Sequence, residues 1–514
     1  GGKEATSLIS RFTTKPVWTD PDYPVRASMM TPIDVVILLV DSYFNDVINH
    51  DMPKADRIRE EIECLKASYA GRGPKQSIIT EDEIYELRQY IGSSLVLRGE
   101  SFRMSLIDCK YFEELALLIN KIDIHEWTDV FSFLWNKQPI VTGIFSKLIS
   151  TLQRMSFSSN VYIKIDAVLR DTGTILHVDR LHELFGLTEI IDDKGNKTII
   201  QVASEPLMAV LTEDGVTLSD ISKSEFCALA TELAFTIVDV ASKSESFVAK
   251  KPFLKESDIL DFPGARSRQM INASTITEDD ACKMILRGKI AYLFNKYSQQ
   301  YLITNLLFCH HEQQSNVVTL SSLLEGWVES TVGDTADKRA KFMQTVDVSP
   351  LFIIGTKFNI DLCKTVIEKG NLAEAQKDSN KADRWTKRFG ILKNLINPTA
   401  ENDWFTNWTP GAAFKNLYLL RSYDYSMEMF EGYKEQQEGD PTWHIVRNPD
   451  GTIRGEIAVR DEYKAFFDDL KRTFVEDPFV ATHFRNPETS WREVVGEESG
   501  TGWEAKDGSA YIIE

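Results

Sequence analysis

The chain has 514 residues, 43% of them hydrophobic and 26% charged, and its 77 acidic against 58 basic side chains leave a formal charge of -19. At roughly 150 residues per domain this is about three domains, or one large α/β domain carrying a big insertion. No apolar run approaches the ~20 residues of a membrane-spanning helix, so a helical membrane protein is excluded. The average field repels phosphate backbones and anionic lipid heads. Nucleic acid is therefore not an expected partner, while peripheral membrane contact is left open. Cys64, Cys109, Cys227, Cys282, Cys309 and Cys363 lie far apart and form no C-x-x-C pair, which points to a reducing cytoplasm. The first residue is Gly1, without a signal peptide or lipidation motif, and the chain is expected to be part of a longer one.

Residues 25–30 read as a strand, and 34–47 as a helix with Val36, Leu39, Val40 and Phe44 on a common side. Helical periodicity continues over 53–69, 81–92, 103–120 and 139–154, which makes 32–155 a helical insertion. Strand character returns at 161–168 and 177–185. A hairpin follows, with Asp193, Lys194, Gly195 and Asn196 turning between 189–191 and 197–203. The stretch 156–255 is thus a mixed α/β insertion. Beyond it a strand ends at Ile259 and Leu260, and 280–296 is a helix with Ile285, Leu286, Ile290, Leu293 and Phe294 on one face. Residues 302–309, 351–354 and 417–420 are short buried strands. Apolar strands alternating with amphipathic helices are the pattern of a parallel sheet covered on both faces. The expected fold is α/β, with 256–424 as the second half of a nucleotide-binding domain and 1–31 supplying its first strands. The C-terminal extension, 425–514, reads as helical over 454–480 through Tyr463, Phe466, Phe467, Leu470 and Phe474.

The most informative string is D-I-L-D-F-P-G-A-R-S-R at 258–268. A strand ending in Asp-x-x-Gly serves GTP-binding proteins: the carboxylate, here Asp261, reaches magnesium through water, and the Gly264 N–H points at the γ-phosphate. Glycine lets the backbone approach the phosphate closely. By itself the string also fits a strand followed by a tight turn. A second string, L-F-I-I-G-T-K-F-N-I-D-L at 351–362, places Thr356, Lys357 and Asn359 directly after a strand. GTPases put an Asn/Thr-Lys-x-Asp loop there, with the Lys stem over the base and the Asp accepting from guanine N1 and N2. Asn359 stands at the acidic position. It offers one carbonyl acceptor where guanine presents two donors, which predicts poor guanine selectivity.

Together with E-A-T-S-L-I-S-R-F-T at 4–13, G-K-I-A-Y-L-F-N-K-Y at 288–297, F-K-N-L-Y-L-L-R-S at 414–422 and the closing D-G-S-A-Y-I-I-E, these strings resemble the SrfC-type bacterial virulence factor family. That family is itself similar to dynamin-like GTPases. The resemblance runs along most of the chain and is looser over 32–155. It implies a P-loop GTPase-like, mostly parallel sheet with a helical insertion and a helical C-terminal extension. It also implies a switch role for 7–11, with the Ser10 hydroxyl where a threonine would ligate magnesium, and a base-stacking role for Arg421 and Ser422. Arg266 and Arg268 become candidate phosphate contacts, beside the reading of solvated arginines.

Gly1, Gly2 and Lys3 do not end a Walker loop, because Glu4 stands where Ser or Thr should hold magnesium. By the family pattern the phosphate loop precedes residue 1. The histidines show no zinc spacing: His177 and His182 are five apart, and His310 and His311 are adjacent. The resulting expectation is a bacterial, cytoplasmic GTP-binding protein using Mg2+ and GTP, with guanine or a related nucleotide and other proteins of a virulence-associated complex as partners. The competing expectation is a catalytically degenerate GTPase-fold scaffold.

Overall fold

A computed structural model describes residues 7–18, 20–48, 52–93, 99–169, 174–176, 178–185, 187–191, 197–201, 206–238, 248, 251–264, 270–310, 320–346, 348–356, 404–419 and scattered positions between 430 and 484. The chain divides into two compact units, Gly1–Lys296 and Tyr297–Glu514.

The first unit opens with β1 (Ile9–Thr13) and β2 (Val25–Met29), then α1 (Pro32–Asp46). Thr31 and Asp34 form a capping box around the start of α1, and Pro32 occupies the first turn, where its missing N–H costs nothing. Every residue of α1 is buried, Asp34, Asp41 and Asp46 included. A short β3 (Val47–Ile48) follows, and then the helical insertion: α2 (Ala55–Tyr69), α3 (Glu81–Ser93), α4 (Glu100–Asp108), α5 (Tyr111–Leu118), α6 (Trp127–Phe131) and α7 (Pro139–Arg154). In α7, Val141, Ile144, Phe145, Leu148, Ile149 and Leu152 are buried at helical spacing. The single helix expected over 103–120 is two, because Lys110 takes a left-handed φ of 60° between α4 and α5.

The chain then adds β4 (Asn160–Ile163) and a short α8 (Asp166–Leu169), so the strand expected over 161–168 stops early. The second expected strand, at 177–185, is a 3-10 helix, Val178–Phe185. The hairpin is present as β5 (Leu187–Ile191) paired antiparallel with β6 (Lys197–Gln201). After β7 (Leu207–Thr212), β8 (Thr217–Ser222), α9 (Lys223–Leu229) and β9 (Ala230–Thr236), β10 (Ile259–Asp261) closes the main sheet. Its order is β10-β1-β9-β2-β4-β7-β8. Only β1 and β9 run parallel, and the other five neighbours are antiparallel. The large sheet is thus mostly antiparallel where the sequence led to a mostly parallel one. A two-residue β11 (Ile271–Asn272) pairs with β3, and α10 (Glu278–Gln299) follows, most of it before the boundary at Lys296.

The second unit contains a parallel sheet in the order β12 (Leu306–His310), β13 (Leu351–Gly355), β14 (Leu417–Leu419). Central β13 is buried at every position. Edge β12 alternates, with Leu307 54% exposed, so complete burial holds only for the middle strand. The helical α11 (Leu320–Trp327) passes into a π-helical turn, Val328–Val332, before α12 (Ala336–Met343). Trp404, Phe405, Trp408 and Phe414 pack edge-on and tilted beside α13 (Pro478–His483), where the His483 ring stacks on Phe405 at 4.0 Å. Tyr463, Phe466, Phe467, Leu470 and Phe474 lie outside the described residues. No helix among the described residues is long and apolar enough to cross a membrane.

Candidate functional site

Antiparallel pairing sets Ser10 of β1 directly opposite Asp261 of β10, followed by Arg11 opposite Leu260 and Phe12 opposite Ile259. Residues opposite each other in an antiparallel pair share a face of the sheet, so the Ser10 hydroxyl and the Asp261 carboxylate rise on the same side. Ser10 is 5% exposed, while Asp261 keeps its access to solvent at the sheet edge. Partial desolvation nevertheless raises the Asp261 pKa above the usual carboxylate value. Beyond Asp261, Pro263 is buried and Gly264 half-buried, which fixes the start of the turn. Arg266 and Arg268 lie outside the described residues.

The other face of the same two strands is a charge network. Side chains alternate along a strand, and Arg11 there donates to Glu232 at 2.8 Å and to Asp258 at 2.9 Å, with Arg26 3.8 Å from Glu232. Burial works to raise the Asp258 pKa, but hydrogen bonds from Thr13 and Arg11 and the Arg11 charge outweigh it, and the net shift is downward. Arg11 is therefore tied to carboxylates on the face away from Ser10, and it braces β10 against the sheet.

In the second unit, Thr356 follows β13 at the C-terminal end of the parallel strands, where α/β sheets bind ligands. Its N–H and its hydroxyl both donate to the His310 carbonyl, at 2.7 and 3.1 Å. Thr356 thereby joins the ends of β13 and β12. Lys357, Asn359, Arg421 and Ser422 fall outside the described residues, as does the 1–6 segment with Gly1, Gly2, Lys3 and Glu4.

The string at 288–297 belongs to α10, and Gly288, Tyr292 and Lys296 of it meet α1. Gly288 lies where a Cβ would stand 2.0 Å from the Ser42 hydroxyl. The Tyr292 hydroxyl and Lys296 both donate to Asp34, the lysine at 2.6 Å. One turn away, Arg287 donates to Asp46 at 2.7 Å, and the fully buried Lys289 donates to the Cys227 carbonyl. Asp41 accepts from the Tyr90 hydroxyl at 2.8 Å. Periodicity flags only the apolar face of such helices. The signal for this seam was the row of aspartates inside an apolar run, Asp34, Asp41 and Asp46, which no solvated helix face explains.

A family profile described as "putative bacterial virulence factor" matches residues 1–502, so the chain belongs to that family. No curated protein and no solved structure matches.

Proposed function

We propose that this member of the family binds a magnesium–nucleoside triphosphate in the manner of a dynamin-like GTPase, in the bacterial cytoplasm, with β1 and β10 carrying the metal end of the site. The observation that supports this reading is the register that places Ser10 and Asp261 opposite one another. The donor set fits the ion, since a hydroxyl and a carboxylate are the hard oxygen ligands magnesium takes. The desolvated carboxyl of Asp261 is also the group a cation would relieve. Magnesium, when bound, would supply charge neutralisation for the phosphates. The Ser10 hydroxyl and the Asp261 carboxylate would hold it. The Gly264 N–H would donate to the γ-phosphate, and Arg266 and Arg268 would add positive charge there. Lys357, Asn359, Arg421 and Ser422 serve the base.

Calorimetric binding of GTP to the full-length protein, with and without magnesium, tests the proposal. Asp261→Ala is expected to lower magnesium-dependent affinity ~10- to 100-fold. Equal affinity in the wild type and in Asp261→Ala rejects the assignment.

A second reading, the degenerate GTPase-fold scaffold, is favoured by Thr356, whose hydroxyl is engaged with the His310 carbonyl, and by Asn359 at the acidic position. Absence of any triphosphate binding in the full-length protein selects it.

A further inference from the structure

The end of the main sheet at which β1 and β9 finish and β10 begins gathers two short strings of one kind. The chain leaves β1 through Lys-Pro-Val-Trp at 15–18 and approaches β10 through Lys-Pro-Phe-Leu-Lys at 251–255, where Pro252–Lys255 is a single 3-10 turn. The proline after the first lysine of each string limits its backbone freedom. The two strings meet. The Thr14 hydroxyl donates to the Leu254 carbonyl at 3.1 Å, and the Val17 N–H donates to the Thr236 hydroxyl at 3.2 Å. The Ile237 N–H donates to the Thr13 carbonyl at 2.7 Å, which brings Val238 to the same end.

Apolar side chains stand open here. Phe12 lies opposite Ile259 across β1 and β10 and stacks on Phe235 of β9 at 5.5 Å, yet Phe12 and Ile259 are both exposed. Val238 is 69% exposed and Phe253 48%, while Leu254 is buried and anchors the turn. Single exposed apolar residues are ordinary, but four from four segments at one end of a sheet form the kind of patch that marks an interaction surface.

Charge decides what covers it. Lys15, Lys251 and Lys255 are exposed and hold no carboxylate among the described residues, whereas Lys66, Lys75, Lys283 and Lys296 of the same unit each hold one. Over 11–18, 236–238 and 251–259 the acids are Glu256 and Asp258, and Asp258 is taken by Arg11 at 2.9 Å. That leaves Glu256 against three ammonium groups. Salt screens charges beyond about 8 Å, so the chain's net charge of -19 does not override cations at contact. Protein interfaces are poor in lysine and favour arginine, whose planar fork fits a fixed carboxylate. Unpaired lysines flanking aromatic and aliphatic side chains suit a fluid anionic surface, where headgroups move to meet a point charge and apolar side chains sink between them.

We propose that this end of the first unit docks on an anionic lipid bilayer, with Phe12, Val238, Phe253 and Ile259 entering the headgroup layer and Lys15, Lys251 and Lys255 meeting its phosphates. The docking does not depend on the nucleotide reading.

The test is co-sedimentation of the full chain with vesicles of phosphatidylcholine and phosphatidylglycerol in equal parts, against vesicles of phosphatidylcholine alone. The wild type is expected on the anionic vesicles and not on the neutral ones, with binding that falls as salt rises. Lys15→Gln, Lys251→Gln and Lys255→Gln are each expected to weaken partitioning about 5-fold, and together about 100-fold. Phe253→Ala is expected to weaken it about 10-fold and to leave the salt dependence as it was. All four positions are exposed, so unchanged urea midpoints show that the fold is not what was lost. A matched control removes the same charge elsewhere in the unit, as Lys54→Gln with Lys110→Gln and Lys121→Gln, and is expected to bind like the wild type. The proposal is overturned if the wild type stays in the supernatant with anionic vesicles, if the control weakens binding as much as the three patch substitutions together, or if Phe253→Ala binds unchanged. It is also overturned if soluble polyglutamate captures the wild type and the vesicles do not, which would make an acidic protein the partner.

Discussion

Two buried guanidinium groups, one in each unit, solve the same problem by different means. Arg287 of α10, 6% exposed, meets a counter-charge in Asp46, itself fully buried. Arg339 of α12, 2% exposed, donates instead to three main-chain carbonyls: Trp408 at 2.8 Å, Gly333 at 2.9 Å and Asn407 at 2.9 Å. It also lies over the Trp408 ring, 5.7 Å from the centroid. Burial lowers the Arg339 pKa, with Asp334 and Glu329 opposing from farther off. The carbonyl fork ties α12 to the aromatic hairpin of 404–414, whereas the ion pair ties α10 to α1. The first strands only dipoles when broken, and the second strands a charge.

That asymmetry sets the largest expected effect. Arg287→Met leaves the Asp46 carboxylate buried without its guanidinium, which costs about 3–5 kcal/mol. Arg339→Met leaves three carbonyl oxygens short of one donor each, about 1–3 kcal/mol for the buried Trp408 carbonyl and less for the part-buried Gly333 and Asn407 carbonyls, which water can replace, with no stranded ion. Urea titrations followed by hydrogen exchange in each unit compare the two. Replacing the pair together, as Asp46→Leu with Arg287→Met, is expected to recover most of the single-variant loss. A cost for Arg287→Met no greater than that for Arg339→Met would show that the counter-charge is not what holds the seam.

A smaller effect probes how closely the helices meet. A methyl group on Gly288 would stand 2.0 Å from the Ser42 hydroxyl, 3.0 Å from its Cβ and 3.1 Å from its Cα. The hydroxyl can turn away only by giving up its 2.7 Å bond to the Leu38 carbonyl, and the backbone cannot turn at all. Gly288→Ala is expected to cost about 1–3 kcal/mol as overpacking. Adding Ser42→Ala removes the nearest atom and returns part of that loss, so the two substitutions couple. Independent, additive effects in thermal melts would mean that α1 and α10 stand farther apart.

Much of the helical insertion was legible in the sequence because its signals are local. Pro139 at the first turn and the buried spacing of Val141 to Leu152 fix α7, and Thr31 with Asp34 fixes the start of α1. What failed was either conformational or long-range. The break at Lys110 depends on a left-handed residue that its side chain does not advertise. The antiparallel character of the main sheet depends on which strands meet across long stretches of chain. The apolar content of β12 could not show that one face stays open at an edge, as Leu307 does. Of the candidate nucleotide residues, the pairing of Ser10 with Asp261 appears in a register that no local pattern encodes. The two Lys-Pro strings at 15–18 and 251–255 stand in the sequence, but nothing local shows that they meet, which hangs on the bond from Thr14 to the Leu254 carbonyl.

A signal read against pH separates a buried charge that is paired from one that is given up. Lys289 is fully buried, and desolvation lowers its pKa to about 7. An unfolded lysine titrates near 10.4. Between about pH 7 and pH 10.4 the unfolded chain therefore holds a proton that the folded chain has released. Wherever the unfolded state binds more protons, stability rises with pH, here by about 1.4 kcal/mol per unit for this one group. Below about pH 7 both states hold the proton and the contribution is flat, at its least favourable level. Cys227 works in the opposite direction from about pH 8.5 upward, because burial pushes its thiol up to about 12 while the unfolded thiol releases its proton near 8.5, but it does so in both proteins and drops out of their difference. Lys289→Met fills a similar volume without an ionisable group, at the loss of one hydrogen bond to the Cys227 carbonyl. The variant is expected to exceed the wild type in stability most clearly at neutral pH and to lose that advantage steadily toward pH 10. The difference between the two urea midpoints, followed from pH 6 to pH 10, isolates Lys289 from all other titrating groups. Parallel curves would mean that Lys289 keeps its proton in the fold, and that its contact with the Cys227 carbonyl of α9 sustains a buried charge as Asp46 sustains that of Arg287.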